Sequence, residues 1–295
     1  MPDFELNLML RPCIRFASSY RDVGHAVTIS GMNSRLSLER IIALRTAAAH
    51  GVEVTLVAET GSTNADLLAG VAHFVGPRLL LAETQTAGKG RAGRVWHSEP
   101  GATLTFSLAW KFHLPTHALL GLPLAVGVAI AEALAQFDVD AKLKWPNDVL
   151  LDGKKLAGVL IETAVVKGAP VDQVWAVIGI GINLAVPEHL AARIERPVAA
   201  APSLQADRSR VVAALLNSLA QAAILFEAQG FAAFRARWNA LHAYGGQQVS
   251  IVDGGRVLHA GLAGGVDDSG RLLLDTPTGP IAVVAGDVSL RVRED

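Results

Sequence analysis

The stretch QTAGKGRAGRVWHS, residues 85–98, combines three glycines with three lysine or arginine residues. Glycine lets the backbone bend sharply and lets a ligand approach it closely, while lysine and arginine donate charged hydrogen bonds to carboxylates and phosphates. Strand-like sequences flank it, RLLLAETQT (78–86) before and ATLTFSLAW (102–110) after. The stretch therefore predicts an anion-holding loop between two strands, with a solvated turn as the alternative.

Residues 88–93 also match the pattern GxGxxG, but the surrounding sequence excludes the best-known loops of that kind. A dinucleotide-binding loop opens directly into a helix, whereas this one leads through a turn into a strand. The kinase pattern GxGxxGxV nearly fits, yet a kinase also needs HRD and DFG motifs, and neither occurs in the sequence. A Walker A motif is also absent, so the loop is expected to clamp negative charge with side chains and backbone N–H groups.

The composition is typical of a globular protein. Of the 295 residues, 51% are hydrophobic and 18% are charged, and the formal net charge is −1. This balance gives no general electrostatic case for binding nucleic acid. The single cysteine excludes a disulfide framework and favours a reducing compartment, and the histidines form neither an HExxH motif nor a Cys/His cluster. We expect a cytoplasmic protein.

The most apolar segment, residues 119–137, approaches the length of a membrane span. Pro123, Gly127 and Glu132 interrupt it, and no basic cluster flanks it. A buried core helix is therefore the favoured interpretation. The N-terminus has neither the basic region nor the long apolar core of a secretory signal.

The order of segments predicts two regions. Helical and strand-like segments mix up to Gly245, which indicates an α/β or α+β domain; the first helix is expected to begin after Ser37 and to end at Gly51. Beyond Gly245 the pattern changes to short strands and turns, which fits a small β-barrel.

Three further clusters bear on function. The residues Ser62-Thr63-Asn64 could cap a helix or bind a polar head group. Lys155 could be a turn lysine or could reach a buried anion. The glycine pair in GIGIN (179–183) indicates either close approach of a ligand or another backbone, or simple close packing.

These motifs, in this order and spacing, resemble biotin protein ligases, the bacterial biotin–[acetyl-CoA-carboxylase] ligases. The motifs are TGSTN (60–64), QTAGKGRAGRVW (85–96), KWPND (144–148), KLAGVLIE (155–162), GIGIN (179–183) and AGDVSLR (285–291). The resemblance implies an α+β fold with a mixed β-sheet flanked by helices and a C-terminal SH3-like barrel. It divides the chain into an N-terminal extension (1–35), a catalytic domain (36–244) and the barrel domain (245–295).

The resemblance also implies the reaction. Biotin and ATP form biotinoyl-5′-AMP and pyrophosphate, and a lysine of the biotin carboxyl carrier protein then attacks the mixed anhydride. No enzyme nucleophile is needed, because the task is to hold two anions together and to neutralise developing charge. Mg²⁺ is implied by the use of ATP, and family members often form homodimers through the central sheet.

By motif position, the resemblance assigns three groups of residues. The biotin group consists of Ser62, Thr63, Asn64, Gln85, Lys89, Gly90, Arg91, Lys155 and Gly158. The nucleotide group consists of Gly88, Arg94, Trp96, Asp148 and Asn183. Lys155 and Arg91 are the expected catalytic cations, with Lys155 bridging the biotin carboxylate and the α-phosphate. Asp148 is a candidate to orient Lys155, the carboxylate or the incoming lysine.

Other functions remain as alternatives at this point. A lipoate–protein ligase or an octanoyltransferase would share the catalytic architecture, although octanoyltransferases use a catalytic cysteine and Cys13 lies far from the motifs. A biotin-sensing repressor would need a DNA-binding domain. The residues before the first helix are too few for a winged helix–turn–helix, so we expect no operator binding.

Overall fold

A computed structural model of the chain describes residues 35–192, 194, 197–286 and 289–292. Residues 1–34, nearly all of the predicted N-terminal extension, lie outside this part. The described residues form the predicted α+β arrangement, with one seven-stranded mixed sheet and one five-stranded antiparallel sheet.

The larger sheet has the strand order β1-β2-β3-β7-β6-β5-β4. Strands β1 and β2 are parallel, and all other neighbours are antiparallel. The strands are β1 (Glu53–Thr60), β2 (Arg78–Gln85), β3 (Thr103–Phe112), β4 (Lys142–Lys144), β5 (Asp148–Leu151), β6 (Lys154–Ala164) and β7 (Val174–Asn183). The strand-like sequences on both sides of the glycine loop are thus β2 and β3, which pair with each other.

Helices cover both faces of this sheet. The helices are α1 (Leu38–Ala43), α2 (Thr63–Gly70), α3 (Leu122–Ala135), α4 (Glu188–Ala191), α5 (Arg208–Gln229) and α6 (Ala232–Leu241). Alternate residues of β2 point to opposite faces: Leu79 and Leu81 enter the main core, whereas Leu80 enters a smaller core beside α2. The N-terminus of α2 therefore lies on the face of the sheet opposite the main core.

The second sheet has the order β11-β10-β9-β8-β12. Its strands are β8 (Gln248–Asp253), β9 (Arg256–Val266), β10 (Leu272–Thr276), β11 (Gly279–Val283) and β12 (Ser289–Val292). These five short antiparallel strands confirm the small all-β unit predicted beyond Gly245. The indole N–H of Trp145 donates to the Gly270 carbonyl at 3.2 Å. This bond connects the turn between β4 and β5 to the loop between β9 and β10.

The first helix is shorter than its sequence predicts. The Ser37 hydroxyl accepts a hydrogen bond from the Arg40 N–H, as expected for a cap, but the helix ends at Ala43 instead of Gly51. The reason is tertiary: the Asn217 amide in α5 accepts from the Thr46 N–H at 2.8 Å and donates to the Leu44 carbonyl at 3.0 Å. These bonds replace the next helical turn.

The long apolar segment forms the core helix that its interruptions predict. Eleven of the fourteen residues of α3 are buried. By length and composition alone, the helical runs Thr116–Ala135 and Pro202–Gln229 could each cross a membrane, but most of each run is buried inside this protein. Their apolar character is accounted for by the core.

A tight hairpin between β5 and β6 positions Lys155. Asp152 and Gly153 both have positive φ, 50° and 72°, as the favoured two-residue hairpin turns require. The hairpin pairs Asp148 with Gly158 and Leu150 with Lys155. The motifs KWPND (144–148) and KLAGVLIE (155–162) are thereby held side by side.

Candidate active site

A cavity opens on the face of the large sheet that carries α2, and its empty volume, including the part open to solvent, is about 460 Å³. It brings together motifs that are far apart in the sequence. Its lining consists of Ser62, Thr63, Asn64, Gln85, Lys89, Gly90, Arg91, Trp96, Phe106, Ser107, Asn147, Lys155, Gly158, Val159, Leu160, Gly179, Ile180 and Gly181.

The start of α2 forms a neutral polar wall of this cavity. The Ser62 hydroxyl caps the helix by accepting from the Ala65 N–H, so the helix begins at Thr63 and both Thr63 and Asn64 are buried. Gln85, at the end of β2, accepts through Oε1 from the Thr63 N–H at 2.8 Å. The capping and the site interpretations of this cluster are therefore compatible.

Ser107 extends the polar wall and was not singled out from the sequence. It is fully buried in the middle of β3, its hydroxyl donates to Asn64 Oδ1 at 2.6 Å, and it lies 2.6 Å from the Thr63 hydroxyl. Asn64 Nδ2 in turn donates to Glu162 Oε2 at 2.8 Å. A serine between the apolar residues Phe106 and Leu108 of a buried strand was the available signal, because buried hydroxyls need partners.

The glycine loop forms a hairpin at the cavity mouth. Lys89 forms an antiparallel bridge with Val95, and the Gly90 N–H donates to the Arg94 carbonyl at 2.7 Å. The turn uses positive φ at Ala92 and Gly93, 53° and 69°. The strand–loop–strand context predicted from the sequence is confirmed.

Three cations of the predicted set line the cavity: Lys89, Arg91 and Lys155. The ammonium of Lys155 lies 2.5 Å from Asp148 Oδ1, and that of Lys144 lies 3.8 Å from Asp148 Oδ2. One carboxylate thus contacts two lysines. The described residues that line the cavity include three cations and no carboxylate, which suits an anionic ligand.

The indole of Trp96 lies against the backbone at the base of the cavity. A Cβ added at Gly181 would lie 2.1 Å from Trp96 Cε2, and a Cβ at Gly179 would lie 2.3 Å from Asn64 Oδ1. The two glycines of GIGIN are therefore required by side chains that pack on β7, which favours the packing interpretation. Within the described part of the chain, the buried Trp96 Nε1–H has no hydrogen-bond partner.

Four residues of the predicted nucleotide group lie outside the cavity lining. Arg94 is exposed. Gly88 is buried beneath the Trp96 carbonyl, where a Cβ would approach to 2.4 Å. Asp148 contacts the cavity lysine Lys155, and Asn183 Nδ2 donates to the carbonyls of Lys155 and Ala199 at 3.4 and 3.1 Å. Asn183 thus holds backbone segments beside the site.

Two titratable groups near the junction of the sheets have shifted pKa values. Burial raises the pKa of the Tyr244 phenol, and the nearby charge of Asp148 raises it further. Burial lowers the pKa of His242 to about 4, and both of its ring nitrogens are buried without a partner in the described residues. His242 is neutral at pH 7.

No group of three or more His, Cys, Asp or Glu side chains in the described residues could hold a metal ion. His113 and His117 are close in the sequence. His113 pairs on the surface with Glu227 Oε1 at 3.0 Å.

Two protein families match this chain. The biotin/lipoate A/B protein ligase family matches residues 60–183, and the C-terminal domain of biotin protein ligases matches residues 244–291. The first range contains every residue that lines the cavity.

Curated relatives and a solved structure extend the similarity. The bifunctional ligase/repressor BirA of Escherichia coli is 33% identical over 252 residues, which cover 83% of this chain and 76% of BirA. The biotin–[acetyl-CoA-carboxylase] ligase of Mycobacterium tuberculosis is 37% identical over 251 residues, covering 80% and 88%. The biotin protein ligase of Aquifex aeolicus in complex with biotin and ATP superposes with a TM-score of 0.67 at 28% identity, covering 82% of this chain and 99% of that one.

Proposed function

The chain belongs to the biotin/lipoate A/B protein ligase family, and we propose from this premise how its cavity carries out the reaction. The protein is an ATP-dependent biotin–protein ligase with a C-terminal SH3-like domain, and its substrates are biotin and ATP. The residue roles that follow are our proposal. The single observation that supports them is that one cavity combines a neutral polar wall with three cations.

The reaction has two steps. In the first, a carboxylate oxygen of biotin attacks the α-phosphorus of ATP, the bond from that phosphorus to the bridging oxygen breaks, and pyrophosphate leaves. In the second, the amine of the acceptor lysine attacks the acyl carbon of biotinoyl-5′-AMP, AMP leaves with the bond electrons, and the amine loses a proton as the amide forms. Both steps build negative charge at the phosphate, where fixed cations are most effective.

The neutral wall is suited to the ureido head of biotin. Thr63, Asn64 and Gln85 present hydroxyl, amide and backbone groups that are already oriented. Thr63 and Gln85 hold each other, and Ser107 and Glu162 hold the Asn64 amide. A neutral ring with N–H donors and a carbonyl acceptor needs such groups and no net charge. Gly158 leaves space for the Lys155 side chain, because a Cβ there would lie 3.0 Å from Lys155 Cε and Nζ.

The cationic end is suited to the two anions. Lys155 can bridge the biotin carboxylate and the α-phosphate, while the Arg91 guanidinium can donate a charged hydrogen bond to the phosphate. Lys89 and Gly90 lie on the same hairpin and supply a further charge and a close backbone approach. These groups bring two like-charged reactants together, so the enzyme needs no acylated side chain.

For the nucleotide, Trp96 offers an aromatic face and an indole N–H without a partner in the described residues. We assign Arg94 and Gly88 to the triphosphate side of the loop, Asp148 to the orientation of Lys155, and Asn183 to the support of the segment next to the ribose. ATP is expected to bind as its Mg²⁺ complex.

We propose that the acceptor is a lysine of the biotin carboxyl carrier protein, since relatives are named for acetyl-CoA carboxylase. We also propose a cytoplasmic enzyme that can form a homodimer, does not bind operator DNA, and has its domain boundary at Gly245. Gel-shift titration with biotin-operon DNA tests the absence of operator binding. Sedimentation at several protein concentrations tests dimer formation. A sharp, salt-resistant DNA complex would contradict the proposal.

The substrate assignment is tested by pyrophosphate release. With ATP and each of biotin, lipoate and octanoate, we expect release only with biotin, followed by transfer to the carrier domain. Release with lipoate and not with biotin would assign the protein to lipoate ligation instead.

A further inference from the structure

Asn147 lies in the turn between β4 and β5 and lines the cavity. It pairs with Val159 in both directions: the Val159 N–H donates to the Asn147 carbonyl at 3.1 Å, and Asn147 Nδ2 donates to the Val159 carbonyl at 2.7 Å. The side-chain amide is therefore held in one orientation. Its donor end is used by β6, and its oxygen faces away from that strand.

That oxygen contacts a cavity cation. Asn147 Oδ1 accepts from Arg91 Nη1 at 3.0 Å, and another guanidinium nitrogen of Arg91 donates to the carbonyl of Gly286 in the second sheet region. Arg91 is half-buried, whereas the next residues of the hairpin, 92–95, are exposed. Asn147 therefore joins the glycine loop to the β5–β6 hairpin through the residue that reaches into the cavity.

Asp148, the residue after Asn147, contacts the second expected catalytic cation, Lys155. Asp148 holds the ammonium of Lys155 at 2.5 Å, so two consecutive residues hold the two expected catalytic cations. They differ in charge: the carboxylate of Asp148 offsets positive charge, whereas the neutral amide of Asn147 orients Arg91 without doing so. Asn147 thus fixes the direction of Arg91 without adding a negative charge beside it.

We propose that Asn147 is a positioning residue that holds Arg91 over the acyl-adenylate and thereby retains this intermediate until the acceptor lysine attacks. The proposal rests on the biotin ligase function and adds a residue to which no role was assigned above. Its effect passes through Arg91, because Asn147 has no charge of its own to offer the phosphate.

The test combines two substitutions of Asn147 with Arg91→Gly. Biotin-dependent pyrophosphate release measures adenylation, and labelling of a bystander protein without a carrier domain measures escape of the intermediate. For Asn147→Ala we expect bystander labelling to rise at least fivefold while adenylation changes less. For Asn147→Asp, which keeps an oxygen facing Arg91, we expect low bystander labelling but slower adenylation, because the carboxylate offsets the charge.

The double variant Asn147→Ala, Arg91→Gly decides whether Asn147 acts through Arg91. We expect its bystander labelling to equal that of Arg91→Gly alone, since residues acting in one chain of contacts are not additive. Additive labelling, or identical behaviour of the Ala and Asp variants, would overturn the proposal. Asn217→Ala, which removes an asparagine that fixes backbone far from the cavity, is the matched control and should retain wild-type labelling.

Thermal melts of every variant separate these results from misfolding. If Asn147→Ala is not folded, the adenylation rate of Asn147→Asp is the test, and a wild-type rate in that variant overturns the proposal. If the wild-type enzyme releases no pyrophosphate with biotin, the ligase function itself fails. If the wild type is active and Asn147→Ala retains the intermediate as well as the wild type, only the role of Asn147 fails.

Discussion

Asp148 Oδ1 lies 2.5 Å from Lys155 Nζ, across the antiparallel pair formed by β5 and β6. The side chain of Lys155 is one-third exposed, so its ammonium is held at the rim of the cavity and remains within reach of a ligand. The hairpin thus places a cation next to the neutral wall that we assign to biotin, with a carboxylate to fix its direction.

Replacing Lys155 with alanine should slow adenylate formation roughly 10²-fold, or about 3 kcal/mol, the usual effect of removing one electrostatic donor from the transition state. The measurement is single-turnover formation of biotinoyl-AMP. Lys154→Ala is the matched control, because Lys154 is the exposed neighbour on the same strand and should retain activity. Near-normal rates for Lys155→Ala would remove Lys155 from its proposed role.

Replacing Arg91 with glycine should leave the fold intact and release the intermediate, because the cation at the mouth of the cavity is lost. We expect biotin to appear on lysines of bystander proteins, detected by mass spectrometry after incubation with biotin and ATP. If the variant still labels only the carrier domain, other residues retain the adenylate.

Gly181→Ala should displace the Trp96 indole, because the new methyl group would lie 2.1 Å from Trp96 Cε2. We expect a loss of stability of about 1–3 kcal/mol, as is usual for overpacking, a higher KM for ATP, and a changed tryptophan fluorescence. Gly264→Ala is the control, since a Cβ there meets only ordinary contacts at 3.6 Å or more. Unchanged fluorescence and KM in Gly181→Ala would show that the indole does not rest on β7.

Glu162→Ala should weaken biotin binding, because the Asn64 amide loses a charge-assisted bond of 2.8 Å. Such bonds contribute about 1.5–3 kcal/mol, so we expect the Kd for biotin to rise about tenfold or more, as measured by calorimetry with biotin alone. Glu162→Gln keeps an acceptor and should bind more tightly than Glu162→Ala. Equal affinities for Glu162→Ala and the wild type would place Asn64 outside the biotin wall.

His242 should make the protein sensitive to acid. Its pKa in the folded protein is lowered from 6.5 to about 4 by burial, so the unfolded state binds more protons between these values and stability falls as pH decreases through that window. Over this window the loss of stability is on the order of 3 kcal/mol. Chemical denaturation from pH 7 to pH 4 should show a shallower decline for His242→Phe, and equal slopes would contradict this origin.

The local chemistry of several elements was sufficient to predict them. The two turn residues Asp152 and Gly153 specify the hairpin that carries Lys155, and the interruptions at Pro123 and Glu132 distinguish a core helix from a membrane span. Ser62 caps α2 as its residue type predicts. The anion loop was predictable because its glycines and cations lie within fourteen contiguous residues.

Features that depend on distant partners were not predictable. The end of α1 is set by Asn217, which is 171 residues away from Thr46. Ser107 becomes a site residue only when α2 packs on β3, and Asn147 only when the glycine loop and β6 lie beside it. Asn183 holds the Ala199 carbonyl instead of facing the cavity. A single sequence reports residue types, while these roles depend on pairing across the sheet.

The central claim is that the cations of this cavity bring biotin and ATP together. The most direct measurement is a crystal structure of the protein with biotin and a non-hydrolysable ATP analogue. We expect the biotin ring against Thr63 and Gln85, with its carboxylate and the α-phosphate both within hydrogen-bonding distance of Lys155 Nζ. A triphosphate bound elsewhere, or a biotin carboxylate turned away from Lys155, would contradict the account.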